Sequence, residues 1–250
     1  MPEFPKIVFG SSDPAESRRI RVGLRLKMLR KLVPRAYTSW RLGPVEAVIA
    51  WNLYQLIDHL FPEAVISHRS AFSFPYPYPK WRELNRATAA IHVTYRYTER
   101  IEWPGVTVAL RKGPSALDSD EWVDKLLYPR LRRSSRPRAL LENMQPSRQT
   151  DRGAKTYAPK DIEDYLRWEG RRNGSKPLVQ LQSEAEAVAG LLGMERELET
   201  FRTLIAAAVK ESERPRYKTA RLAKEMGVSV YWLRRRIRSE NSLASKPRNS

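Results

Sequence analysis

The sequence contains no cysteine. Disulfides, thiolate metal sites and cysteine nucleophiles are therefore excluded, and the absence suits a reducing cytosol. Histidine is almost as scarce. His59, His68 and His92 are the full set, and none has the paired-histidine or carboxylate spacing of a metal site. Glycine-rich phosphate loops of the two common types are missing. No apolar run approaches the ~18 residues of a membrane-crossing helix. The opening MPEFPKIVFGSSDPAE puts prolines and acids where a signal peptide has a basic and then an apolar stretch. These absences predict a cytoplasmic protein with no cofactor, no metal and no membrane partner. Acidic charge is also in deficit: 28 Asp and Glu stand against 46 Lys and Arg, for a net charge of +18. An imbalance of that size exceeds what solubility requires and points to a polyanionic partner, nucleic acid first.

What is present suffices for a folded chain. Hydrophobic residues make up 41% of the 250 and charged ones 30%, a balance that allows a packed core. SSDPAESRRIRVGLRLKMLRKL reads as helix, with Ser12 or Asp13 as cap, Pro14 in the first turn and Gly23 bending the run; Ile20, Leu24, Met28 and Leu32 would share a face. LVPRAYTSW reads as a short edge strand because of its internal proline. PVEAVIAWNLYQLIDHLF, residues 44–61, has the strongest helical period and ends at Pro62. EAVISHRSAF predicts a short strand and a turn of helix, SFPYPYPKW an irregular loop, and residues 89–110 a strand-rich part turning at Trp103-Pro104-Gly105. DEWVDKLLYPRLRRSSRPRALLENM reads as helix broken at Pro129 and Pro137. A polar hinge over 146–161 precedes helices at about 159–169 and at 177–211, the latter kinked near Gly190 or Gly193.

Three clusters carry the positive charge. Residues 18–35 hold Arg18, Arg19, Arg21, Arg25, Lys27, Arg30, Lys31 and Arg35 without one acid. A basic helix followed by a strand wing is how a winged helix meets phosphates. The second cluster, YPRLRRSSRPR, has five arginines between 130 and 138; it reads equally as an extension of that surface and as a solvated loop. The third is the tail, where nine Lys or Arg face one Glu between Arg214 and Arg238. There TARLAKEMGVSVYWLRRRI has helix-turn-helix spacing. Leu222, Met226 and Val228 would pack inward, Gly227 would take the positive φ of the turn, and Ser229 would cap the second helix. Tyr231, Arg234, Arg235 and Arg238 would then face a groove.

SHRSAF invites a catalytic reading, but no acid nearby is placed to orient His68, and a triad is assembled in space rather than along the chain. Capping by Ser67 or Ser70 and a buried hydrogen bond for His68 is the simpler expectation. The residues therefore predict no enzyme.

Taken together, LRKLVPRAYTS, LFPEAVISHRSAF, AAIHVTYRY, IEWPGVTVALRKGP and SSRPRALLENMQPSR resemble the AbiEi-type antitoxin module, in the version found ahead of Fic domains in bacterial Fic-family proteins. The likeness covers roughly residues 7–210. It implies a DNA-binding antitoxin or transcriptional regulator that represses its own operon at promoter repeats and counters a nucleotidyltransferase toxin. It assigns the DNA contacts to the helix at 18–31 and the wing around Arg35–Trp40. The chain departs from the family in two ways. Only 36 residues precede Tyr37, so the winged helix is abbreviated, and the Fic motif H-P-F-x-x-G-N-G-R is absent.

The expectation is an α+β protein with a winged-helix-like N-terminal element at about 12–40 inside a mixed helix and strand module over 1–146. A hinge and helical region follows over 147–212, then a basic helix-turn-helix-like tail over 213–250. The expected partner is double-stranded DNA, with a nucleotidyltransferase or Fic toxin as cognate protein; a homodimer would suit paired repeats. Two other readings stand beside it: the non-catalytic regulatory half of a Fic-type system acting on a separately encoded partner, and an RNA binder stacking bases on the aromatic strand IHVTYRY.

Overall fold

The computed structural model describes residues 6–40, 42–80, 90–147 and 154–213, and in the tail residues 224, 226–229, 231–232 and 235–236. The chain divides into two compact units, Met1–Ser212 and Glu213–Ser250. The first is α+β, with two sheets.

The smaller sheet opens the chain. Strand β1 (Ile7–Phe9) leads to helix α1 (Pro14–Arg25), and a hairpin follows of β2 (Arg30–Val33) and β3 (Ala36–Thr38). The order is β1-β3-β2 and all pairings are antiparallel. Asp13 caps α1 by accepting from the backbone N–H groups of Ala15 and Glu16, with Pro14 in the first turn. The helix is shorter than its sequence suggests. It ends at Arg25, so Met28 lies beyond it and Leu32 sits on a strand. Gly23 does not break the helix; its carbonyl accepts from the N–H groups of Met28 and Leu29 where the chain turns away. The proline of LVPRAYTSW falls in the two-residue turn Pro34-Arg35 of a hairpin, where the missing N–H costs no ladder bond.

Helix α2 (Val45–Trp51) and helix α3 (Leu53–Leu60) replace the single helix expected over 44–61. Asn52 separates them at φ −116°, ψ 18°, and its side-chain amide donates to the Val48 carbonyl at 2.7 Å. Such back-bonding by a short polar side chain competes with the helical ladder, which the apolar period cannot report.

The larger sheet is mixed. Its strands are β4 (Val65–Ile66), β5 (Ala90–Tyr95), β6 (Glu99–Trp103), β7 (Val106–Lys112), β8 (Glu121–Trp122) and β9 (Arg132–Arg133), in the order β6-β7-β5-β4-β9-β8. β5 runs parallel to β7, and β4 parallel to β9. Helix α4 (His68–Ala71) follows β4. Helix α5 (Arg136–Met144) packs against α4 and against α7 (Lys176–Leu192); α6 (Pro159–Asn173) and α8 (Glu195–Glu213) complete the unit. The helix expected from residue 120 onward is thus confined to α5. Pro137 lies in its first turn rather than at a break, and the preceding residues form β8 and β9. Gly193 ends α7 in the left-handed conformation, so the long kinked helix expected over 177–211 is two helices.

One hydrophobic cluster runs from Ile7 to Ala208. The helices after residue 158 therefore share a core with the sheets before residue 146, and the divide expected at 146–147 does not separate two cores. Gly170 permits part of this packing, because a Cβ there would meet Leu178 Cδ1 at 2.8 Å and the Ala208 carbonyl at 3.1 Å.

Candidate nucleic-acid interface

Helix α1 is amphipathic in charge. Ile20 is buried and faces the core. Arg18, Arg21 and Arg25, spaced by three and four residues, form a stripe on the opposite side. These three, with Arg19, Lys27, Lys31 and Arg35, are exposed; Arg30 is half-buried. Arg21 Nε donates to the Ser17 carbonyl at 3.3 Å, which lays its side chain along the helix. Arg30 Nη1 donates to the Gly43 carbonyl at 2.9 Å, while its Nε and Nη2 are buried without a partner. Among the described residues, no ion pair engages Arg18, Arg21, Arg25, Lys27, Arg30, Lys31 or Arg35.

Two of these cations occupy unusual backbone positions. At the end of α1, the Lys27 N–H donates to the Leu24 carbonyl and the Met28 N–H to the Gly23 carbonyl. This is the Schellman pattern, in which glycine normally takes the left-handed residue. Here that residue is Lys27, with φ 55°. At the hairpin tip Pro34 leads the turn and Arg35 follows at φ 63°, again where glycine is favoured. Gly10 braces the tip by donating its N–H to the Arg35 carbonyl at 2.7 Å. Under the hairpin, Phe9 stacks on His59 with centroids 3.7 Å apart. Burial, then Arg130 and Arg35, holds His59 below its ordinary value, so its ring stays neutral beside the basic tip.

The second arginine cluster is not a bare surface. Arg138 is wholly buried. Its Nε donates to Glu142 Oε1 at 2.9 Å and its Nη1 to Asp120 Oδ2; the carbonyls of Ser115 and Pro114 accept from Nη1 and Nη2. Glu142 Oε2 also accepts from the His68 N–H at 2.8 Å and from Ser134 Oγ at 2.9 Å. Arg132 donates to the carbonyls of Leu117 and Asp120 and lies 4.2 Å from the Trp122 ring centroid. Arg133 pairs with Glu121, Arg136 with Glu169, and Arg130 with Asp58. Arg138 is thus an internal brace and the other four arginines are partnered within the fold, Arg130 and Arg136 at its surface, an outcome that sequence reasoning left open.

In SHRSAF, Ser67 precedes α4 but makes no side-chain cap; its hydroxyl meets His68 Nδ1 at 2.9 Å instead. His68 Nε2 faces Gln145 Oε1 at 3.2 Å, and Ser70 Oγ accepts from the His92 N–H. The aromatic strand considered for base stacking, β5, is buried from Ala90 to Thr94 and offers no open face there.

Within the tail, Gly227 has φ 65° and Ser229 Oγ accepts from the Trp232 N–H at 3.1 Å, the bond of an N-cap. Met226, expected to pack inward, is 50% exposed. Tyr231 and Arg235 are exposed. Arg234, Arg238 and Leu222 lie outside the described residues.

Comparison with protein families, with characterised proteins and with solved structures finds no match to this chain.

Proposed function

We propose that this protein is a DNA-binding transcriptional regulator of antitoxin type, acting on promoter repeats of its own operon. The α1 stripe and Lys27 would meet the phosphates of one strand, and the Arg35 tip would reach across as an abbreviated wing. The observation that carries this reading is the pair of left-handed positions. Placing Lys27 and Arg35 where glycine is the easy choice costs roughly 1–2 kcal/mol each, and such strain is retained where a side chain is needed. The absence of a pairing acid on the stripe among the described residues supports the same reading, because phosphates are the complement it lacks. The toxin–antitoxin setting rests on the sequence resemblance, and the tail's Tyr231 and Arg235 would serve as auxiliary contacts.

A mobility shift tests this. At about 150 mM salt, binding to the DNA upstream of the gene should be at least ~10³-fold tighter than to random duplex of equal length. Equal binding to both would overturn the reading.

A further inference from the structure

A second cationic cluster lies away from α1 and its hairpin. It lines a cavity of about 350 Å³ at the carboxyl ends of the parallel strands β5 and β7, where Thr94 pairs in register with Arg111. His68 at the start of α4, Gln145 after α5, Lys155, and the Gly193-Met194 turn close it. Ligands of sheets with parallel strands commonly bind at such carboxyl ends, and the volume falls in the range of small-molecule sites.

The cavity's charges are out of balance. Arg111 and Lys155 are both half-buried, and Arg69, outside the lining, lies near His92 with its guanidinium 4.7 Å from the Tyr157 ring centroid. None of the three forms an ion pair among the described residues, and Arg111 donates to no group there through its guanidinium. The Nε atoms of Arg111 and Arg69 are buried without a partner, as is Nδ1 of His92. Lys155 Nζ donates to Gln145 Oε1 at 3.0 Å, the same oxygen that faces His68 Nε2. Of the acids lining the cavity, Glu142 is already consumed by Arg138, Ser134 and the His68 N–H. Glu197 offsets part of the Lys155 charge but is not paired with it. Burial first, and then neighbouring cations, pushes His68 and His92 down to about 3, so both rings are neutral and add no further positive charge.

Desolvated cations without a counter-ion are costly. A guanidinium fork beside an ammonium matches one ligand chemistry well, a tetrahedral oxyanion with several acceptor oxygens. We infer that this cavity is a binding site for a small phosphate-bearing anion held by Arg111 and Lys155. The site goes beyond the DNA reading and shares no residue with the 18–35 cluster. A phosphate monoester reaches such a site either as a small solute or as the 5′ end of a nucleic acid strand.

The test is thermal unfolding of the full chain with inorganic phosphate titrated against sodium chloride at equal ionic strength. The expected result is a saturable rise in Tm with phosphate only. Arg111→Gln with Lys155→Gln should abolish that rise without lowering the Tm in phosphate-free buffer, since each removes a cation that repels the other. Should the double variant fail to fold, Lys155→Gln alone must weaken phosphate binding at least ~10-fold, the worth of one charge-assisted hydrogen bond. A nucleoside 5′-monophosphate and a short 5′-phosphorylated oligonucleotide, each against its 5′-hydroxyl form, assign the source. A preference for either phosphorylated form supports the site. A Tm rise shared equally with chloride, or one that survives in the folded variants, overturns it. Retained promoter binding by the double variant separates failure here from failure of the DNA reading.

Discussion

Two stretches of this chain carry dense arginine and use it in opposite ways. Residues 18–35 present seven exposed cations on a helix stripe, a helix end and a hairpin, with one more, Arg30, fastened half-buried at the hairpin's base. Residues 130–138 give theirs partners within the fold: Arg138 is buried on Asp120 and Glu142, Arg132 is half-buried on the backbone of the 114–120 loop, and Arg130, Arg133 and Arg136 pair nearer the surface with Asp58, Glu121 and Glu169. The difference lies in what the fold brings to each. The first stretch is local, closed by β1 within forty residues, and among the described residues no ion pair engages its stripe of Arg18, Arg21 and Arg25. The second supplies β9, the sheet neighbour of β4, so it meets acids from distant segments. Arginine density alone therefore says little about function; the partner each guanidinium finds decides whether it builds the protein or serves something else.

The comparison breaks most sharply at Arg138. Replacing it by alanine leaves the buried carboxylates of Asp120 and Glu142 uncompensated and should destabilise the protein by about 3–5 kcal/mol, measured by urea unfolding. A loss below about 1 kcal/mol, the scale of an ordinary surface pair, would mean that Arg138 is not a brace.

Arg18, Arg21 and Arg25 should behave in the opposite way. The triple change to glutamine should leave stability within about 0.5 kcal/mol per site. It should flatten the dependence of log affinity for duplex DNA on log salt concentration by about 0.9 for each lost phosphate contact. An unchanged salt slope would remove the stripe from the interface.

The smallest effect is the most discriminating, because its two halves have opposite signs. Lys27→Gly and Arg35→Gly relieve left-handed strain at some cost in unfolded-chain entropy, so each should stabilise the fold by about 0.5–1 kcal/mol. Each should also weaken DNA binding. If the substitutions stabilise the fold and leave binding untouched, the two cations are incidental to recognition.

Local chemistry was legible in the sequence where it was self-contained. Asp13 and Pro14 at the start of α1, Gly105 in its turn, and the strand followed by a helical turn in EAVISHRSAF need only near neighbours. Other features depended on groups far along the chain. The apolar period of 44–61 hid Asn52, whose side chain competes for a backbone carbonyl. LVPRAYTSW reads as one edge strand, and only the pairing of β2 with β3 shows that Pro34 sits in a turn between two. The fate of the second arginine cluster was illegible because its acids lie up to 72 residues away, as the Arg130–Asp58 bond shows. The phosphate cavity left no motif for the same reason: Arg111 comes from β7 and Lys155 from the segment before α6, 44 residues further along the chain.

Strand β4, two residues long, has a consequence for how the protein comes into being. It pairs with β5 on one side and β9 on the other, so Val65 must find both Thr94 and Arg132 before the larger sheet is continuous. The small sheet asks for far less, since its most distant pairing joins Ile7 to Thr38. Folding rate falls as contacts span more of the chain. The basic element should therefore mature first, as a finished hairpin on an unfinished protein. Pulse-labelled hydrogen exchange during refolding should protect the Thr38 amide before that of Arg132, which donates to the Ala64 carbonyl of the segment entering β4, and the reverse order would show that the larger sheet leads.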